Sequence, residues 1–230
     1  ATPDNGAAIA LYAACKATLK VADGQEITLH EQTNYPFEEK ISFTVNTTED
    51  VRFPFYLRIP SWCDQPELAI NGKQKEIDPI PGKYIYIDRT WTDGDKVELN
   101  LPMKLSIRTW QVNKNSVSVN YGPLTLSLKI NEEYIQKDSR STAIYDSRWQ
   151  EGADATQWPS YEIFPKSPWN YALVLDSKVP LKNFKVIRKE WPSDNFPFTV
   201  SNVPLEVKAI GKQIPSWTLD KYGLCSELPE

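Results

Sequence analysis

The sequence predicts an all-β protein: an antiparallel, jelly-roll-like β-sandwich over residues 1–130, then a second, smaller and loop-rich β unit over 131–230. Three observations carry that expectation. Apolar and polar residues alternate in segment after segment, as on sheets with one buried face. Glycine-containing turn pairs punctuate those segments. Eighteen prolines in 230 residues leave no window of a dozen residues with a helical period.

The elements follow in order. "EITLHEQT" (Glu26–Thr33) and "KISFTVNT" (Lys40–Thr47) alternate cleanly, and "VRFPFYLRI" (Val51–Ile59) adds β-branched and aromatic residues. "ELAI" and "KQKEI" flank Asn71-Gly72, the strongest hairpin signal in the chain, since both residues tolerate the positive φ of a type I′ turn. Asp23-Gly24 and Asp93-Gly94 mark two further turns, the second between "KYIYID" (Lys83–Asp88) and "KVELNL" (Lys96–Leu101). "GPLTLSLKI" (Gly122–Ile130) closes the sandwich. From Asn131 to Asn170 the text turns irregular, and a loop so long is functional or packed on a neighbour. Strands resume with "YALVLD" (Tyr171–Asp176), "FKVIRKEW" (Phe184–Trp191) and "PLEVKAI" (Pro204–Ile210).

Composition excludes several classes of function. A net charge of −4 does not suit a nucleic-acid partner, whose phosphates call for a basic surface. Lysines and acids are interspersed, so no polybasic patch faces a membrane. The longest mostly apolar run, Ala7–Cys15, falls far short of the roughly 20 residues that a bilayer requires. It also lacks the plan of a signal peptide. A start without methionine and the ending "SELPE" read as a segment of something longer. Cys15, Cys63 and Cys225 are odd in number and widely spaced, which suits three reduced, mostly buried thiols better than a disulfide framework. Asn46-Thr47-Thr48 is a formal glycosylation sequon, relevant only in a eukaryotic secretory context.

Catalytic constellations are hard to assemble. His30 is the lone histidine, and alternation sets it with Thr28 and Gln32, opposite Ile27, Leu29 and Glu31, so it reads as a solvent-facing strand residue. None of the cysteines is spaced with another or with His30 as zinc ligands are. Phosphate-cradling glycine motifs are absent, and "WTDGD" (Trp91–Asp95) reads as a tight turn and not a calcium loop. Glycoside hydrolysis normally needs two carboxylates at a set separation. Asp146, Glu151, Asp154 and Glu162 are candidates in the irregular region, with solvated loop charge as the plainer reading. The aromatics are the better signal. Trp110, Trp149, Trp158 and Trp169 fall in or near that region, and an indole face can stack on the C–H face of a sugar ring. Packing or an interface is the competing role for such residues.

"EQTNYPFEEKISFTV", "FYLRIPSWC", "LAINGK", "YIYIDRTWTDGDKVELNLPM" and "VNYGPLTLSLK" occur in this order. Together they resemble the β-sandwich region downstream of the catalytic barrel in glycoside hydrolase family 127, the β-L-arabinofuranosidases. The resemblance covers residues 7–130 well and extends more weakly through "SPWNYALVLD" and "VKAIGKQIPSW". It implies an (α/α)₆ barrel carrying a zinc-bound cysteine nucleophile with glutamate and cysteine ligands. It places no catalytic residue, cofactor or metal in this segment, because the barrel's motifs have no counterpart here. The implied partner is the catalytic barrel of the same parent chain, and the implied location is periplasmic or secreted. The implied role is a non-catalytic accessory region that packs on and supports the barrel, inert alone. On this reading Cys63 is structural, Trp62 packs at the sandwich edge, and Arg58 ties its strand to a carboxylate or to the barrel. The alternative is a carbohydrate-binding module holding plant polysaccharide on Trp149, Trp158, Tyr161 and Trp169. Sugar specificity is not readable from these residues.

Overall fold

The computed structural model describes residues 1–143, 148–221 and 223–228. It divides into two compact units, Ala1–Leu126 and Ser127–Glu230.

In the first unit the strands follow as β1 (Ala7–Ile9), β2 (Cys15–Val21), β3 (Gln25–Thr33), β4 (Lys40–Thr47), β5 (Val51–Arg58), β6 (Glu67–Ile70), β7 (Lys73–Lys75), β8 (Tyr84–Trp91), β9 (Asp95–Asn100), β10 (Leu105–Trp110), β11 (Ser116–Tyr121) and β12 (Leu124–Leu126). A six-stranded sheet runs β2-β3-β4-β9-β6-β7, and a three-stranded sheet runs β1-β5-β8. Their apolar faces close on one another as a sandwich. β10, β11 and β12 form a separate meander. The pairing is antiparallel except that β1 lies parallel to β5.

The alternation read from sequence is what builds this core. Ile27 and Leu29 of β3, Ile41, Phe43 and Val45 of β4, and Val97 and Leu99 of β9 point inward from the larger sheet. They meet Phe53, Phe55 and Leu57 of β5 and Trp91 of β8. Phe43 and Phe55 cross edge-to-face at 5.6 Å between the two sheets, a preferred aromatic geometry. Each such fully buried side chain contributes about 1.5–3 kcal/mol. The Trp91 indole N–H donates to the Phe53 carbonyl at 3.0 Å, so burial of that ring leaves no polar group unmet. Asn71 and Gly72 take φ of 50° and 74°, the left-handed pair that the β6–β7 turn needs. At Gly6 a Cβ would stand 2.3 Å from the Pro54 carbonyl, so only glycine lets the chain entering β1 approach β5 this closely.

The second unit is built otherwise. It contains β13 (Glu132–Lys137), α1 (Ser139–Thr142), β14 (Ser160–Pro165), β15 (Tyr171–Leu173), β16 (Lys185–Arg188), β17 (Leu205–Lys208) and β18 (Gly211–Gln213). These pair as three two-stranded ribbons, β13-β14, β15-β18 and β16-β17. The irregular stretch expected over 131–170 thus contains a six-residue ribbon, and the strand expected over Gly122–Ile130 narrows to β12. Among the described residues only Ser139, Pro197, Pro204 and Leu205 of this unit are buried. Tyr134, Ile135, Ile163 and Phe164 stand exposed on the first ribbon.

Candidate functional site

The outer face of the β1-β5-β8 sheet gathers the most chemistry in the first unit. Period-two alternation turns Phe53, Phe55 and Leu57 into the core and sends Arg52, Tyr56 and Arg58 the other way. On β8 the same rule exposes Tyr84, Tyr86, Asp88 and Thr90. Register sets Tyr56 opposite Tyr86 and Arg58 opposite Tyr84. The Tyr56 and Tyr86 rings are 5.2 Å apart, and Tyr86 and Tyr84 are 58% and 44% exposed.

Polar groups hold this face in place. The Tyr56 hydroxyl donates to Asp4 at 2.5 Å. That contact pushes the phenol up to about 12, and the Thr2 and Tyr56 hydroxyls hold the Asp4 carboxyl below its ordinary value. Arg52 grips Asp88 through Nε at 3.2 Å and Nη2 at 3.0 Å, a bidentate fork that lowers the Asp88 pKa. At the far end Arg58 Nη1 donates to the Ala10 carbonyl at 3.4 Å. Within this chain Arg58 therefore ties down a backbone carbonyl, where the sequence suggested a carboxylate or the barrel.

Behind Arg58 the inner layer holds a buried acid. Glu31 is 4% exposed, accepts from the Ala13 N–H at 3.0 Å, and has the Cys15 thiol 4.0 Å away. Tyr12 lies buried nearby, its hydroxyl bonded to the Arg58 carbonyl. Burial pushes Glu31 up to about 7 against the weaker opposing effect of the Ala13 bond.

The sequence-predicted site residues fall in the second unit, in different settings. Trp158 is 68% exposed, and its carbonyl accepts from the Ser139 hydroxyl. Tyr161 on β14 is exposed and meets Tyr134 of β13 edge-to-face at 6.1 Å. Trp149 is half-buried. Trp169 is half-buried and packs at 65° on Trp217, 5.2 Å away. Trp110, by contrast, ends β10 of the first unit, lies beneath the Arg108 guanidinium at 3.8 Å and donates to Ser118.

The other candidates disperse. His30 is exposed on β3, as alternation predicts. Cys63 is buried, and desolvation raises its pKa, which keeps it a thiol. Half-buried Trp62 packs against the core beside it. Cys15 and Cys225 are exposed, contrary to the expectation of mostly buried thiols, because Cys15 opens an edge strand and Cys225 lies in an isolated bridge with Leu219. Glu162 pairs with Lys137 at 3.1 Å, Asp154 caps its own turn through Thr156, and Glu151 is exposed. Asp146 lies outside the described residues. Among the described residues no three His, Cys, Asp or Glu side chains come together as metal ligands. No helix among them is long and apolar enough to cross a membrane.

Sequence reasoning passed over Tyr56, Tyr84 and Tyr86, although "FYLRI" and "YIYID" carry the signal. Once the aliphatic positions are assigned inward, the tyrosines between them must face out.

Residues 6–103 match the family model described as "Beta-L-arabinofuranosidase, GH127 middle domain". None of the curated protein sequences matches the chain. Among solved structures, a glycoside hydrolase is 31% identical over 51% of this chain and 20% of its own, with a TM-score of 0.48. A GH127 beta-L-arabinofuranosidase from Geobacillus stearothermophilus T6 is 23% identical over 70% of this chain and 30% of its own, with a TM-score of 0.49. A further GH127 beta-arabinofuranosidase is 22% identical over 76% and 30%, with a TM-score of 0.47. The chain thus spans between a fifth and a third of the length of these structures.

Proposed function

We propose, from the match of residues 6–103 to the middle-domain model of glycoside hydrolase family 127, that this is an accessory β region supporting the catalytic domain of an L-arabinofuranoside-cleaving enzyme. The family match is the observation that carries the reading. The second unit supports it physically. Two-stranded ribbons are marginal in water without something to pack on, and the β13-β14 ribbon presents Tyr134, Ile163 and Tyr161 on one face with Ile135 and Phe164 on the other. A covering domain of the parent protein would remove that apolar surface from water, at about 25 cal/mol per Å². Zinc and the nucleophile would then belong to the catalytic domain, and periplasmic or secreted action on plant polysaccharide would follow from the family.

The test has two parts. The pure chain, given zinc and an arabinofuranoside, is expected to release no L-arabinose; turnover would overturn the reading. Added to a GH127 arabinofuranosidase lacking its own middle domain, the chain is expected to associate and to raise that enzyme's unfolding temperature. Failure of both effects would equally count against it.

A further inference from the structure

We propose that the outer face of the β1-β5-β8 sheet is a binding surface for an uncharged sugar, with Tyr84 and Tyr86 as the platform, Tyr56 tilted at its flank and the Arg52–Asp88 fork as its polar clamp. The choice of arabinose-based probes rests on the family reading above; the surface itself is argued from its residues.

Shape comes first. Tyr84 and Tyr86 are alternate residues of one strand, so their side chains leave the sheet about 7 Å apart, a span comparable to one sugar residue. Tyr56, half-buried, stands beside Tyr86 on the neighbouring strand with its ring tilted at 51° to it, and so borders the platform. An exposed phenol offers an apolar ring face and a polar tip on a side chain with only two torsions, so little freedom is lost on contact. The C–H face of a sugar ring suits the first, and its hydroxyls suit the second.

Hydrogen-bonding capacity comes next. Of the five guanidinium N–H donors of an arginine, two of those on Arg52 go to Asp88, and a carboxylate has about four acceptor sites of which Asp88 uses two in that fork. The pair therefore presents donors and acceptors side by side, as neighbouring hydroxyls require, and each ion orients the other before any ligand arrives.

Charge selects the ligand class. Asp4 and Asp88 on this face are balanced by Arg52 and Arg58, and Asp4 already accepts from Tyr56. A neutral polyol complements such a surface better than an anion or a cation does. The outward strand positions are Ala8, Pro54, tyrosines, charged residues and Thr90, with no leucine, isoleucine or valine for a protein partner to interlock with.

The experiment is a calorimetric titration of the 230-residue chain with a neutral arabino-oligosaccharide, run beside a galacturonic acid oligomer of equal length. Saturable binding of the neutral probe is expected, weakened tenfold or more by Tyr86→Ala, several-fold by Arg52→Ala and unchanged by Trp158→Ala. Tyr84→Ala is the second platform variant if Tyr86→Ala lowers the unfolding temperature. Loss of binding in Trp158→Ala but not in the tyrosine variants would move the sugar to the second unit and overturn the proposal. Preference for the galacturonic acid oligomer, or no binding of the neutral probe at millimolar concentration, would overturn it too. So would a tyrosine variant that abolishes association with a GH127 catalytic domain, because a protein then covers this face. Association with that domain, measured separately, reports on the family reading, so either idea can fail without the other.

Discussion

Glu31 shows how one residue can conflict with an otherwise consistent strand. The period-two pattern that buries Ile27 and Leu29 also buries this acid at the third inward position of β3, with a single backbone N–H to meet it. The titratable groups that face it are the Cys15 thiol on the adjoining strand and Tyr12 on the crossover from β1, and Tyr35, Arg58 and Tyr84 act in turn on Tyr12. Its folded pKa of about 7 lies above its ordinary 4.5, so its neutral form adds stability in full below about pH 4.5. That contribution is lost as the pH rises through 7. Glu31→Gln keeps an acceptor for the Ala13 N–H and cannot ionise. Denaturant melts should therefore find it near wild type at pH 4.5 and about 2–3 kcal/mol more stable at pH 8.5. Equal effects at both pH values would show that folding does not raise the Glu31 pKa.

At the scale of elements, the loop from β8 to β9 works as a clasp. Asp95 is buried and accepts from Asn71 Nδ2 at 2.6 Å and the Thr92 N–H at 3.0 Å, with the Arg89 guanidinium 3.3 Å away. Burial pushes its carboxyl up, but these three partners outweigh it and leave it below the ordinary value. Asn71 returns the contact by accepting from the Lys96 N–H at 2.8 Å. One loop thus fixes both the β8–β9 turn and the β6–β7 hairpin. Asp95→Ala should cost about 3 kcal/mol in equilibrium unfolding, since it strands two donors and a cation at once; a loss under 1 kcal/mol would show that water replaces the carboxylate.

These elements also show what the sequence could disclose. β3, β4, β5, β8 and β9 were legible because each has one buried face, which writes itself as alternation. β13 and β14 were not, because "EEYIQK" and "SYEIFP" expose side chains on both faces. A ribbon that buries neither side leaves no period to read. The tyrosine face was legible in principle, as the complement of the core positions on β5 and β8. Tryptophan is the more conspicuous signal, but its size does not say whether it lies inside or out.

For the molecule as a whole, the two units differ in how they are held. The first rests on a continuous aromatic and aliphatic core, the second on ribbon hydrogen bonds and surface ion pairs such as Lys166–Glu133 and Lys189–Glu206, which are worth little individually. Hydrogen exchange should find amides of β4, β5 and β9 protected at least a hundredfold more than those of β13, β14, β16 and β17. Comparable protection would mean that the second unit has support beyond its own ribbons.

The six-stranded sheet ends in β2 on one side and β7 on the other, and each of these strands carries two exposed lysines, Lys16 and Lys20 on the first and Lys73 and Lys75 on the second. An open strand edge is a template on which further chains can stack, and repelling ammonium groups are a common guard against it. Aggregation by edge-to-edge growth is therefore opposed at both rims, and the sheet can remain open without recruiting copies of itself.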